Sequence, residues 1–238
     1  MANIDFGNNP IVLPKLDRIR AKVEAPRNLI EAFVDDGAVK GAISMLRRAP
    51  VRFYRDNVIV CEGDSADYLF LIVSGNVRAC KIFQNGTRNI VAFYLPGDLF
   101  GWSDHTHSIS IEAITDTMVV FLKRNALLSI ASRDNRIAKL LLRAAAREIQ
   151  SLQDHALLLS RDAKCRVATF LTDFWVRSGK PKYVDFPMSH QDIADHLGLT
   201  IETLSRTITD LEKSGIVTRA SSRRLCLHDP LLLARLTN

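Results

Sequence analysis

Glu202, Ser205 and Arg206 stand at positions i, i+3 and i+4, so on a helix they share one exposed face over the first turns. They lie in the stretch SHQDIADHLGLTIETLSRTITDLEKSGIV, from Ser189 to Val217, where none of the three helps a core. The chemistry they offer is recognition of polar edges. An arginine fork can donate two hydrogen bonds to guanine O6 and N7, a glutamate can accept from cytosine N4, and a serine can meet a base edge or a thymine methyl. Glu202 and Arg206 can also pair with each other, which would hold the fork in position. An i,i+4 ion pair alone is equally what an ordinary solvated helix carries.

Other chemistries find little in the residues. The chain has no GxxxxGK[ST] loop, no HExxH and no nucleophile–base pair, so no enzyme is expected. Asp64, Asp67 and Asp98 sit beside turns and read as turn formers. Cys61, Cys80, Cys165 and Cys226 are far apart, with no CxxC and no Cys/His cluster, so neither a metal nor another cofactor is expected. The thiols read as reduced and mostly packed as small hydrophobes. Lys164 and Arg166 flank Cys165 and could lower its pKa, but the inert reading is preferred for it and for Cys226. His105 and His107 follow Asp104; two histidines on one loop fall short of a ligand set, and the loop reads as solvated.

The elements around the trio decide its reading. Ser189 is a natural N-cap, with Asp192 three residues on as its capping-box partner. Ile193, Ala194 and Leu197 give that helix an apolar face, Gly198 can end it in the left-handed conformation, and Leu199 can plug the angle. Thr200 caps a second helix, whose core face runs from Ile201 or Leu204 through Ile208 and Leu211 to Ile216 beyond the stop at Gly215. Two short helices joined by such a Gly turn are the helix-turn-helix pattern, and the front of the second helix enters a major groove. A helix from about Asp162 to Trp175 and a strand from Tyr183 to Phe186 precede it. Two β patterns, Ile216 to Ala220 and Arg224 to His228, follow as a wing. Backbone contacts to DNA are expected from Ser189, Thr200, Ile201 and Thr203 at the helix fronts, and from Arg219, Arg223 and Arg224 in the wing. For the wing arginines, simple solubility is the standing alternative.

Upstream, Leu142, Ala145, Ile149, Leu152, Ala156 and Leu159 recur at steps of three and four with polar flanks. That is the seam of a dimer helix, against the alternative of a helix packed on its own domain. From Val51 to Leu122 short β runs alternate with turns; Tyr68 to Val73 ends at Ser74-Gly75-Asn76, and Asn85-Gly86 is a strong hairpin signal. Many short strands argue for a small β-barrel or jelly roll. The fold class expected is therefore α+β: an arm over 1–25, a β-barrel over 26–124 that opens with a helical pattern over 27–47, a dimerisation helix over 125–160, and a winged helix-turn-helix over 161–238. The 238 residues, 47% hydrophobic and 24% charged, suffice for two domains, and the net charge of +6 suits a polyanionic partner. No apolar run nears the roughly 18 residues that span a bilayer, and no signal peptide is seen, so the cytoplasm is expected and no membrane partner.

With these segments assembled, the sequence resembles the CRP/FNR superfamily of transcription regulators over nearly all of the chain beyond the arm. EGDSADYLFLIVSGNVR, LPGDLFGW, the long helix and the helix-turn-helix carry the resemblance, and the Glu-x-x-Ser-Arg trio is most similar to that of the FixK group. The resemblance implies a homodimer on double-stranded DNA that reads a TTGA-type palindrome. It also implies contact with RNA polymerase, usually as an activator, and a role in oxygen-limited respiration or nitrogen fixation. Two departures bear on the ligand. Cyclic-nucleotide binders carry Gly-Glu and later Arg-Ser/Thr, whereas here Gly101 is followed by Trp102 and the second position reads His107-Ser108. Oxygen sensors of the superfamily carry an N-terminal cysteine cluster, and residues 1–60 hold no cysteine. A barrel gated by some other small molecule, and a repressor rather than an activator, remain the alternatives.

Overall fold

The computed structural model describes residues 49–228 together with Leu233 and Leu236. The arm and the helical pattern expected over 27–47 lie outside them. The barrel is built from eight strands: β1 (Val51–Phe53), β2 (Val58–Val60), β3 (Tyr68–Ser74), β4 (Val77–Ile82), β5 (Arg88–Tyr94), β6 (Leu99–Phe100), β7 (Ser110–Ala113) and β8 (Thr117–Lys123). They form two four-stranded antiparallel sheets, in the orders β1-β8-β3-β6 and β2-β7-β4-β5. The Asn85-Gly86 turn joins β4 to β5 as the hairpin signal predicts, with Gly86 at φ 79° and Asn85 Oδ1 accepting from the Thr87 amide at 3.0 Å. Gly75, at φ 85°, has no room for a side chain, since a Cβ would lie 2.4 Å from Asp116 O. Aromatic rings fill the space between the sheets. Phe70 stacks on Phe100 and meets Phe121 edge-on, each at 5.0 Å, and Tyr94 lies 5.5 Å from Phe100.

Where one helix is expected over 125–160 the chain makes two, α1 (Arg124–Ala131) and α2 (Asn135–Leu158). Asp134 causes the break: its backbone is extended and its carboxylate accepts from the Arg136 amide, so it starts a new helix rather than continuing the old one. Ile137, Leu140 and Ala144 pack the front of α2 on Leu69, Leu71, Val120 and Leu122 of its own barrel. The seam faces elsewhere. Leu142, Ile149 and Leu152 are 71%, 57% and 40% exposed, and Ala156 is exposed too. Ala145 and Leu159 are half-buried, Leu159 being the residue that closes α2.

The C-terminal part runs α3 (Ala163–Arg177), β9 (Tyr183–Asp185), α4 (His190–Leu197), α5 (Ile201–Lys213), β10 (Val217–Ser221) and β11 (Arg224–Leu227). The three strands form one sheet in the order β10-β11-β9. Its core does not end at the domain boundary. Ile90, Phe93 and Leu95 of the barrel join Phe170, Phe174, Ile193, Leu197 and Leu204 in one buried cluster.

Candidate nucleic-acid interface

The capping box forms at both ends: Ser189 Oγ accepts from the Asp192 amide and Asp192 Oδ2 accepts from the Ser189 amide, each at 3.0 Å. Gly198 closes α4 in the left-handed conformation, at φ 59° and ψ 41°. Arg166, from α3, donates to the Leu197 and Gly198 carbonyls at 2.9 and 3.2 Å, which ties the turn to the helix behind it. Thr200 caps α5 by accepting from the Thr203 amide at 3.2 Å. Leu204, Ile208 and Leu211 are buried behind α5. Ile201 is 39% exposed, so Leu204 and not Ile201 opens the core face.

Glu202 and Arg206 are exposed on the other side and Ser205 is half-buried between them. Their mutual ion pair does not form. The Glu202 carboxyl is held below its ordinary pKa by its own backbone N–H and by the Thr200 hydroxyl. Arg206 consequently has no carboxylate partner among the described residues. The fork is left to meet an outside acceptor.

The wing arginines divide. Arg224 grips Asp185 with Nε at 2.6 Å and Nη2 at 2.8 Å, straight across the β11–β9 pair. Arg219 donates from its amide to Glu212 Oε1 at 2.9 Å, and its guanidinium lies 3.4 Å from Oε2. Both are thus spent in part on fixing the wing to β9 and to the end of α5. Arg223 sits at the tip with no carboxylate partner among the described residues. Near it, at the front of α4, burial and then the charges of Arg219 and Arg223 lower the pKa of His190. Ser189 and Thr203 are half-buried and Thr200 exposed, all at the two helix fronts. Asp185, Glu212 and Arg166 complete the site without having been signalled in the sequence; only strand register and the α3–α4 crossing place them.

The loop after Gly101 is not uniformly solvated. His105 is exposed, 3.1 Å from Asp104, but His107 is 2% exposed and its Nε2 lacks a partner. The reason is an antiparallel bridge from Ser65 to Thr106, with His107 and Asp64 bonded through their backbones, which pulls the loop onto the barrel. Burial, then the charge of Arg124, lowers the His107 pKa. The residues here do not fit a cyclic nucleotide. Trp102 stands where cyclic-nucleotide binders carry a glutamate and donates to Leu99 O at 3.1 Å instead of offering a carboxylate. Arg124 is committed to the Ala66 and Gly101 carbonyls at 2.8 and 2.9 Å. Cys80, Cys165 and Cys226 are buried, as packing thiols should be, while Cys61 is exposed.

Two family models match the chain: the cyclic nucleotide-binding domain over residues 50–134 and the Crp-like helix-turn-helix domain over 165–236. The nitrogen fixation regulation protein FixK of Azorhizobium caulinodans is 41% identical over 209 residues, covering 85% of this chain and 84% of that protein. The FixK of Rhizobium meliloti is 36% identical over 183 residues, 76% and 83% of the two chains. The solved structure of FixK2 from Bradyrhizobium japonicum superposes with a TM-score of 0.75 at 39% identity, over 80% of this chain and 98% of that one. Taken with the two-sheet barrel, the long helix and the winged helix-turn-helix described above, this similarity shows that the chain belongs to the CRP/FNR family of DNA-binding transcription regulators, in its FixK-like group.

Proposed function

We propose that the protein works as a cytoplasmic homodimer that reads a TTGA-N6-TCAA palindrome and activates transcription through RNA polymerase. Its field of action is oxygen-limited respiration and nitrogen fixation, the process named for its FixK relatives. The observation that carries this reading is the front of α5. Glu202 and Arg206 are exposed and unpaired with each other, over a fully buried Leu204, Ile208 and Leu211. Groove-reading helices use this geometry, and a dimer would set two of them about one DNA turn, roughly 34 Å, apart. The exposed seam on α2 supports the dimer, since three large aliphatic side chains there stay exposed among the described residues. The chain acts by binding and not by catalysis. The aromatic packing inside the barrel supports binding that needs no ligand.

Fluorescence anisotropy on the palindrome, on a single half-site and on a scrambled duplex, each with and without cyclic AMP, tests this. The expected result is tight, ligand-independent binding to the palindrome, weaker binding to the half-site, and none of this selectivity on the scrambled duplex. Equal affinity for all three, or selectivity that appears only with cyclic AMP, would overturn the reading.

A further inference from the structure

Arg78 on β4 and Arg88 on β5 point out of the barrel at α4, the first helix of the helix-turn-helix. Arg88 Nη2 lies 2.8 Å from Asp192 Oδ1 and 2.7 Å from Asp195 Oδ2, and its Nε donates to Asp195 at 2.8 Å. Arg78 Nη1 lies 3.3 Å from Asp192 Oδ2, while its Nε and Nη2 hold Glu112 at 2.8 and 2.7 Å. The Arg78 and Asp192 side chains are only 14% and 5% exposed. Asp192 thus has two tasks, capping α4 and docking it. Around this cluster the joint is apolar and shape-specific. The His196 ring lies edge-on to Phe93 at 5.0 Å, and its Nδ1 reaches Ile90 O at 3.0 Å. On the far side Arg177 donates to Phe93 O at 2.9 Å and to Asp98 at 2.6 Å, and Tyr94 donates to Glu148 of α2 at 2.6 Å.

Removing one partner from such a buried network leaves an uncompensated charge, so the joint tolerates little sliding. Docking also leaves Glu202, Arg206 and Arg223 exposed, so it does not mask the interface. From these observations we infer that Arg88, with Arg78, is a positioning residue for DNA recognition. The pair locks α4 against β5 and so holds α5 at one orientation to the dimer helix. The inference rests on the proposed palindrome-reading dimer. Without the lock, each helix-turn-helix would hang from the short connection at 159–162 and could reach half-sites at several spacings.

The test uses the full chain, Arg88→Glu, and Arg88→Glu combined with Asp195→Arg. Affinity is measured for TTGA-N6-TCAA and for the same duplex with an eight-base spacer. Native protein should prefer the six-base spacer by about tenfold or more, as expected when two linked sites must match a fixed span. Arg88→Glu should bind both spacers alike while still preferring TTGA to a scrambled half-site, and the double variant should restore the preference. A variant that discriminates as well as the native protein overturns the inference, and so does a double variant no better than the single. Calorimetric unfolding without DNA separates failure of the lock from failure of the operator. The native chain should melt in one transition and Arg88→Glu in two. If the native chain binds neither duplex, the palindrome reading falls; one transition in both proteins would then overturn the lock as well.

Discussion

At the scale of single residues, the proposed interface depends on side chains that have been left unsatisfied. Arg206 is the clearest case. It keeps all its donors because Glu202 is drawn to the Thr200 cap and to its own amide. Arg206→Ala should therefore cost about 1–3 kcal/mol of specific binding and relax the choice at one guanine. A gel shift across single-base operator variants measures this; an unchanged base preference would take Arg206 out of the groove. Glu202, its pKa lowered at the helix front, would enter the proposed complex with its carboxylate already ionised. The trio was legible in the sequence because spacing alone puts the three on one face. That Glu202 and Arg206 do not pair was not legible, since an i,i+4 spacing permits the pair and only local geometry decides whether it forms.

At the scale of elements, charged residues of one type do different work according to what stands across from them. Arg224 faces Asp185 in register on the neighbouring strand and Arg219 reaches Glu212, whereas Arg223 sits at the β10–β11 turn with no carboxylate partner among the described residues. Arg223→Ala should weaken all duplexes alike and lower the slope of log affinity against log salt by about one. Arg224→Ala should instead loosen the wing and leave that slope nearly unchanged. Equal slope losses for the two would mean that Arg224 leaves Asp185 to contact phosphate. The helix-turn-helix, its caps, the wing and the β4–β5 hairpin could be read in advance, because each is encoded within a few residues. The pairing of Arg224 with Asp185 spans 39 residues and that of Arg88 with Asp192 spans 104, so neither leaves a local pattern. The break at Ser132–Asp134 is hidden for the opposite reason. Asp134 is a short-range cap signal, but the helical pattern expected over 125–160 runs straight through it.

At the scale of the whole molecule, the barrel and the helix-turn-helix share a core, and that joint carries a pH dependence with a definite sign. Burial pushes the His196 imidazole down to about 3, helped by the charge of His155 and opposed by its bond to Ile90 O. A carbonyl can only accept, so Nδ1 of His196 holds the proton, and Nε2 of His155 likewise donates to the His196 carbonyl at 2.8 Å. The two rings stack at 4.2 Å, an arrangement that two imidazolium ions would not tolerate. His107 and His190 are shifted down as well. A histidine whose pKa is depressed on folding stabilises the fold in full above its unfolded pKa, and that stabilisation is lost as pH falls. For His196 the loss begins near pH 6.5 and continues toward about 3, reaching on the order of 2 kcal/mol at pH 5. Asp192 behaves the same way at lower pH. Burial acts to raise its pKa, but the Ser189 bonds and the charges of Arg78 and Arg88 leave it below 3.8, so its contribution survives until the pH drops below that value. Thermal unfolding followed from pH 7.5 to pH 5 should show the midpoint falling by about 4–8 °C. His196→Phe keeps an aromatic ring in the joint but cannot be protonated. It should start lower at pH 7.5, having lost the Ile90 bond, and should show a shallower fall. A native midpoint flat across this range would mean that His196 titrates as freely in the folded chain as in the unfolded one, and that the joint opens to solvent.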